Sequence, residues 1–145
     1  MYKRILVPLE NSHADTAILA HVVLLARHDG ADLVLIHVAD GFAARNLKQL
    51  ELRESEEMRK DRDYLDATAA RLTAAGLHVD AILASGDPPT EITAAAEREK
   101  CDLIAMGTHG HRWLKDIFYG SVAEAVRHRT LVPVLMVRQQ AAGDR

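Results

Sequence analysis

Gly107-Thr108-His109-Gly110, then nine residues, then Gly120-Ser121 is the part of this chain whose residue types and spacing could do chemistry. Glycines that follow a strand can take positive φ angles and let the backbone come close to an anion. Ser121-Val122-Ala123-Glu124 has the form of a capping box and predicts a helix N-terminus at Ser121. Such an end exposes unpaired N–H groups and a partial charge of about +0.5, both favourable to phosphate oxygens. Two elements of this kind joined by a nine-residue loop could wrap a triphosphate from both sides, with the Ser121 hydroxyl on a phosphate or on a bound Mg²⁺. Each feature also has a purely structural use, and the residues alone leave both readings open. The chain has no Gly-Lys-Ser or Gly-Lys-Thr, and Pro8-Leu9-Glu10-Asn11 stands where a dinucleotide glycine fingerprint would follow the first strand.

Other chemistry is sparser. His109 and His111 lack a third metal ligand nearby, so His109 reads as a phosphate contact or a solvent-exposed side chain, and no metal site of protein residues is expected. Arg112 and Lys115 fit either a γ-phosphate or free solvent. His37 falls inside an apolar run and reads as packed or hydrogen-bonded, and Cys101 as a small buried hydrophobe. Glu10 and Asp40 stand near strand ends, but no Ser/His/Asp or Cys/His set is legible and no catalytic residue is expected. Any hydrolysis of a triphosphate held by Gly107 to Ser121 would be slow.

The elements that must position these residues are marked by five short apolar runs: Ile5–Val7, Leu33–Val38, Val79–Ala84, Leu103–Met106 and Val132–Val137. Near-continuous apolar runs suit parallel strands covered on both faces. Between the first two, Ser12 with Asp15 forms a capping box, Ile18, Val22, Leu25 and Ala26 make one stripe, and Gly30 is the stop. A second helix spans about Ala44 to Ala75 with a seam of Met58, Leu65, Ala69 and Leu72, and its charged half, Glu51 to Asp63, reads as a solvated face. A third starts at Asp87-Pro88-Pro89 and carries Ile92, Ala95 and Ala96 inward. The order β-α-β-α-β-α-β-α-β predicts a single doubly wound α/β domain with helices on both faces. Its five-stranded parallel sheet has the favoured order 3-2-1-4-5. Ligands in such sheets sit at the carboxyl ends of the strands where the order reverses, which selects the loops after Val7 and Met106. Residues 1–138 read as the domain and 139–145 as a frayed tail.

With 145 residues, 48% of them hydrophobic, the chain can bury a core as one domain. A net charge of −3 and 4% aromatics argue against nucleic-acid partners. No apolar stretch is long enough to insert in a membrane, and one cysteine fits a reducing compartment, so a cytoplasmic location is expected.

Gly107-x-x-Gly110, nine residues and Gly120-Ser121 resemble the nucleotide-binding signature of universal stress proteins of the ATP-binding group. The likeness extends over nearly the whole chain. Ile5-Leu6-Val7-Pro8 with the acidic Glu10 resembles the family's opening strand and loop, Gly86-Asp87-Pro88 before Ile92 its third crossover, and Val132-Pro133-Val134-Leu135-Met136-Val137 its closing strand. The resemblance implies an ATP site, with Mg²⁺, in which Pro8, Leu9 and Glu10 line adenine and ribose and Val38 lies beside the base. It further implies Met106 and Gly107 under the ribose, with Gly110, Gly120, Ser121 and Val122 on the phosphates. Leu9, Val38 and Met106 are expected to sandwich the base. The family usually has Asp where Glu10 stands and Gly where Asn11 stands; both departures bear on affinity.

The function implied is an ATP-binding regulatory module of the stress response, acting through nucleotide-dependent dimer or partner contacts. The regulatory protein partner is unknown. A homodimer through the last strand, Val132 to Val137, is expected because an apolar edge seeks a partner. The alternatives are a slow Mg-dependent ATPase or nucleotidyl transferase, and a family member that binds no nucleotide and works by protein contact.

Overall fold

The computed structural model describes residues 1–40, 48–109 and 117–139, and of residues 40, 48–55, 109 and 117–120 the backbone only. The elements follow in the order β1 (Arg4–Pro8), α1 (Asp15–Asp29), β2 (Asp32–Asp40), α2 (Lys48–Ala74), β3 (Val79–Gly86), α3 (Pro88–Arg98), β4 (Leu103–His109), α4 (Ile117–Arg129) and β5 (Val134–Gln139). All strand pairs are parallel and the sheet order is β3-β2-β1-β4-β5, as the sequence predicts.

Alternation of side chains along the strands divides the core into two layers. Ile5, Val7, Leu33, Leu35, Leu103 and Ala105 face one layer with Ile18 and Val22 of α1 and Leu65 and Leu72 of α2. Leu6, Val34, Ile36, Ile104 and Met106 face the other with Ile92, Ala95 and Ala96 of α3 and Val126 of α4. Each large side chain so buried contributes about 1.5–3 kcal/mol. The central strands are therefore apolar at successive residues, while β3 and β5 at the edges are only half-buried.

Helix ends show where local signals hold. Gly30 closes α1 in a left-handed conformation (φ 67°) with its N–H on the Ala26 carbonyl, and the Asp87 carboxylate caps α3 by accepting from the Thr90 N–H. The start of α1 differs from the expected box. Ser12 and Asp15 do bond to each other, but in a turn ahead of the helix, whose N-cap residue, Ala14, offers no side-chain bond. The Gln139 side chain, from the far end of the chain, accepts instead from the Ala17 N–H at 2.8 Å. β5 thus takes in the first residue of the segment expected to fray.

β4 also runs further than its apolar residues predict, through Gly107 and His109, both in register with β5. Gly107 has no positive φ. A Cβ there would lie 3.0 Å from the Ala14 carbonyl oxygen and 3.2 Å from Ile18 Cγ2. The glycine is needed because α1 crosses β4 at this residue, and not for a turn. Gly107→Ala is expected to cost about 1–3 kcal/mol, read as a lower urea midpoint with an unchanged slope.

Candidate functional site

The reversal of strand order lies between β1 and β4, and there the sheet opens. β1 pairs with β4 only through Ile5–Leu103 and Leu6–Ile104 among the described residues. It stops at Pro8, whose partner on β2 is Ile36. β2 continues to Asp40 and β4 to His109. A crevice is left over the end of β1, walled by these two extensions.

The predicted residues distribute themselves unevenly around it. Pro8 is buried at the end of β1. Leu9 donates its N–H to the Ile36 carbonyl at 2.8 Å, which carries the β1–β2 pairing one residue past the strand. Its side chain is fully buried in the layer of α1 and α2. Val38 and Met106 are buried in the opposite layer, with α3 and α4. The three therefore do not flank one base: Val38 and Met106 share a side of the sheet, and Leu9 brings only its backbone to the crevice. Strand alternation is the reason, because Leu9 is in phase with Ile5 and Val7.

Glu10 is half-buried at the lip, its carboxylate accepting from the Ser12 hydroxyl at 2.8 Å. Gly107 is buried under α1. The backbone of His109 ends β4 on this side. Gly110, with His111, Arg112, Trp113 and Lys115, lies outside the described residues.

Gly120 and Ser121 do not open a helix. α4 already begins at Ile117, so Ser121 is four residues inside it, and the unpaired N–H groups belong to the turn at Ile117. The Ser-x-x-Glu pattern fails as a start signal because helix initiation upstream leaves the Ser121 N–H an intrahelical acceptor. Ser121 is exposed, whereas the Val122 side chain is buried in the α3–α4 layer.

Hydrogen bonds concentrate in the turn after β1, and their organiser is Asp15. This carboxylate is 3% exposed. One oxygen accepts from the Glu10 N–H at 2.9 Å, the other from the Asn11 N–H at 2.9 Å, from the Ser12 N–H at 3.4 Å and from the Tyr64 hydroxyl of α2 at 2.6 Å. Burial pushes the Asp15 carboxyl above its usual range, opposed by these four bonds. The Tyr64 hydroxyl is pushed upward too, by burial and by its bond to Asp15, so it remains a donor. Successive N–H groups converging on one anion form a nest. Here the nest is filled by the chain's own carboxylate.

A second set of bonds reaches the same turn. His37 of β2 donates from Nδ1 to the Leu9 carbonyl at 2.8 Å, since a carbonyl can only accept. Its Nε2 faces Asp61 of α2 at 3.1 Å, and the other Asp61 oxygen accepts from the Asn11 side chain at 3.0 Å. His37 is hydrogen-bonded, as its place in an apolar run suggests. Asp61 departs from the solvated face expected of its charged stretch, being only 17% exposed. Neither Tyr64 nor Asp61 is marked as functional by the sequence. The available signal was a tyrosine beside the Leu65 seam amid charged residues.

Asn11 itself has φ 64°, a conformation that costs most residues about 1–2 kcal/mol and Asn less. Asn11→Ala, which adds the backbone strain and removes the Asp61 bond, is expected to lower stability by about 1–2 kcal/mol. Asn11→Gly should stay within about 0.5 kcal/mol, because the lost bond is offset by relieved strain. Urea denaturation of the three proteins measures both.

Residues 1–138 match the Universal stress protein family. The chain is 32% identical over 158 aligned positions to universal stress protein MJ0577 of Methanocaldococcus jannaschii, with 97% of each chain covered. The solved structure of MJ0577 superimposes with a TM-score of 0.85 at 31% identity, covering 96% of this chain and 97% of that one. A universal stress protein from Archaeoglobus fulgidus solved in complex with dAMP has the same fold, with a TM-score of 0.66 at 21% identity over 94% of this chain and 98% of that one. So does a universal stress protein in complex with cAMP, with a TM-score of 0.68 at 18% identity over 94% and 97%.

Proposed function

The chain belongs to the universal stress protein family, and on that premise we propose that it binds an adenine nucleotide, ATP with Mg²⁺, in the crevice over the end of β1. The observation that carries this reading is the opening of the sheet where β1 stops at Pro8 while β2 and β4 continue to Asp40 and His109. That is where a doubly wound sheet takes its ligand. Proteins of the same fold have been solved with dAMP and cAMP.

The orientation follows from charge. The turn after β1 presents the Glu10 carboxylate, and its N–H groups are already taken by Asp15. It repels phosphate and suits ribose hydroxyls, which can donate to Glu10. Val38, which keeps 7% exposure where Met106 is fully buried, supplies the apolar contact for the base, and the phosphates are assigned to the side of His109 and Ser121. These residues belong to the Gly107-x-x-Gly110, nine residues, Gly120-Ser121 spacing. Mg²⁺ would neutralise the phosphate oxygens, with the Ser121 hydroxyl, exposed on α4, as the side chain of this chain suited to hold it.

The role proposed is regulatory, in a stress response, and not catalytic. Asp15, the one buried carboxylate among the described residues, accepts four hydrogen bonds and has no capacity left to take a substrate proton. Nucleotide occupancy would be read out by a protein partner or through the β5 edge, where Met136 is 43% exposed on the outermost strand.

Protein isolated without added nucleotide and then denatured should release ATP or AMP on chromatography, and stripped protein should give a calorimetric isotherm with Mg·ATP. No released nucleotide together with no heat would remove the reading. Single-turnover hydrolysis in minutes or slower keeps the regulatory role; turnover in seconds makes the protein an enzyme. Sedimentation at micromolar concentration should show a dimer, and Met136→Lys should shift it toward monomer; a monomeric wild-type protein would exclude pairing through β5.

A further inference from the structure

We infer that Asp15 is the positioning residue of the nucleotide site, holding the ribose-side turn in its binding shape, and that Tyr64 makes that shape depend on the seating of α2. The inference rests on the nucleotide reading above and adds to it a control point outside the crevice.

The geometry is specific to positioning. Residues 10, 11 and 12 send three consecutive backbone N–H groups to one carboxylate. Fixing them fixes the direction in which the Glu10 side chain leaves the backbone, and the Ser12 hydroxyl then steadies its carboxylate. The turn lies beyond the strand: β1 has ended at Pro8, and the Leu9 N–H bonds the Ile36 carbonyl one residue later. Asp15 stands at the first position of α1, which is packed against the sheet through Ile18 and Val22. The anchor is thus packed on the sheet, and the turn it holds lies past the end of the strand.

α2 reaches the turn twice from one face, since residues three apart on a helix are neighbours. Tyr64 donates to Asp15, and Asp61 takes the Asn11 side chain and faces His37. Leu65 and Thr68, both buried, seat this same stretch of the helix on the sheet. A shift of α2 would withdraw the Tyr64 hydroxyl and leave a buried carboxylate short of a donor, a costly state that the turn would relieve by rearranging. Ligand affinity and α2 position are therefore coupled.

The test compares wild-type protein with Asp15→Asn, Tyr64→Phe and Leu103→Ala. The dissociation constants of Mg·ATP and AMP are measured well below each melting temperature, with amide hydrogen exchange at residues 10–12 in stripped protein. Asparagine keeps one acceptor oxygen but turns a donor toward the N–H groups. Asp15→Asn should therefore weaken both nucleotides about tenfold and speed exchange at residues 10–12 by at least as much. Tyr64→Phe, which removes only the hydroxyl that bonds Asp15, should weaken binding about threefold with the same direction of exchange. Leu103→Ala lowers stability from the first residue of β4, at the opposite end of the sheet from the turn, and should leave affinity within about twofold. If Asp15→Asn and Tyr64→Phe lose stability but keep wild-type affinity, Asp15 is merely structural and the inference falls. It falls equally if Leu103→Ala weakens binding as much as they do. If wild-type protein binds neither nucleotide, the nucleotide reading and the positioning role fall together, while fast exchange in Asp15→Asn would still identify Asp15 as the anchor of the turn.

Discussion

Burial of β1 on both faces is the constraint on which this molecule rests. Ile5, Leu6 and Val7 are each fully inaccessible, alternately facing the two helix layers. No polar side chain can be accommodated between Arg4 and Pro8 without losing its solvation. The strand therefore carries its charge at its start. There the Arg4 guanidinium meets Asp80 at 2.9 Å, and the Asp102 carboxylate accepts from the Lys3 and Arg4 N–H groups. At its other end β1 stops, and the stop creates the crevice. Proline has no N–H to give a further ladder, and Leu9 makes the last sheet bond.

The chain after β1 is consequently a turn with several backbone donors, close to the core and away from any strand partner. Buried N–H groups left unpaired cost about 1–3 kcal/mol each. Asp15 meets that need from α1, and Asp61 and His37 add a second clasp from α2 and β2. The same arrangement decides the electrostatics of the lip. A turn whose amides already hold a carboxylate, and whose own side chain is Glu10, offers acceptors outward. The β1 side of the crevice thus presents acceptors and not donors.

Much of the scaffold was legible because strand burial and helix termination are local. The five apolar runs became five strands, Gly30 and Asp87 ended and began the helices expected of them, and the strand order followed from the right-handed crossover rule. Boundaries moved where a neighbour supplied what the sequence around them did not. β4 and β5 are longer than their hydrophobic cores since each completes the other's ladder through His109 and Gln139. α4 begins at Ile117 in spite of a better cap at Ser121. Gly107, which looked like a turn glycine, is a contact glycine, a distinction visible only once α1 lies across β4.

By itself the sequence determined the fold class, the strand order and the family, and it selected the end of the sheet at which a nucleotide is proposed to bind. These depend on residue type and spacing along the chain: apolar runs, Asp-Pro and Gly stops, and the Gly-x-x-Gly, nine residues, Gly-Ser pattern. Tertiary structure alone decided which side chains share a face at that end. Leu9 parts from Val38 and Met106 because pleating sends them to opposite layers. Asp15 becomes an organiser because Tyr64, 49 residues away, closes over it, and Gln139 caps α1 from 122 residues away. Hydrogen bonds between groups so distant in the chain depend on two elements being packed first, and no local pattern records them.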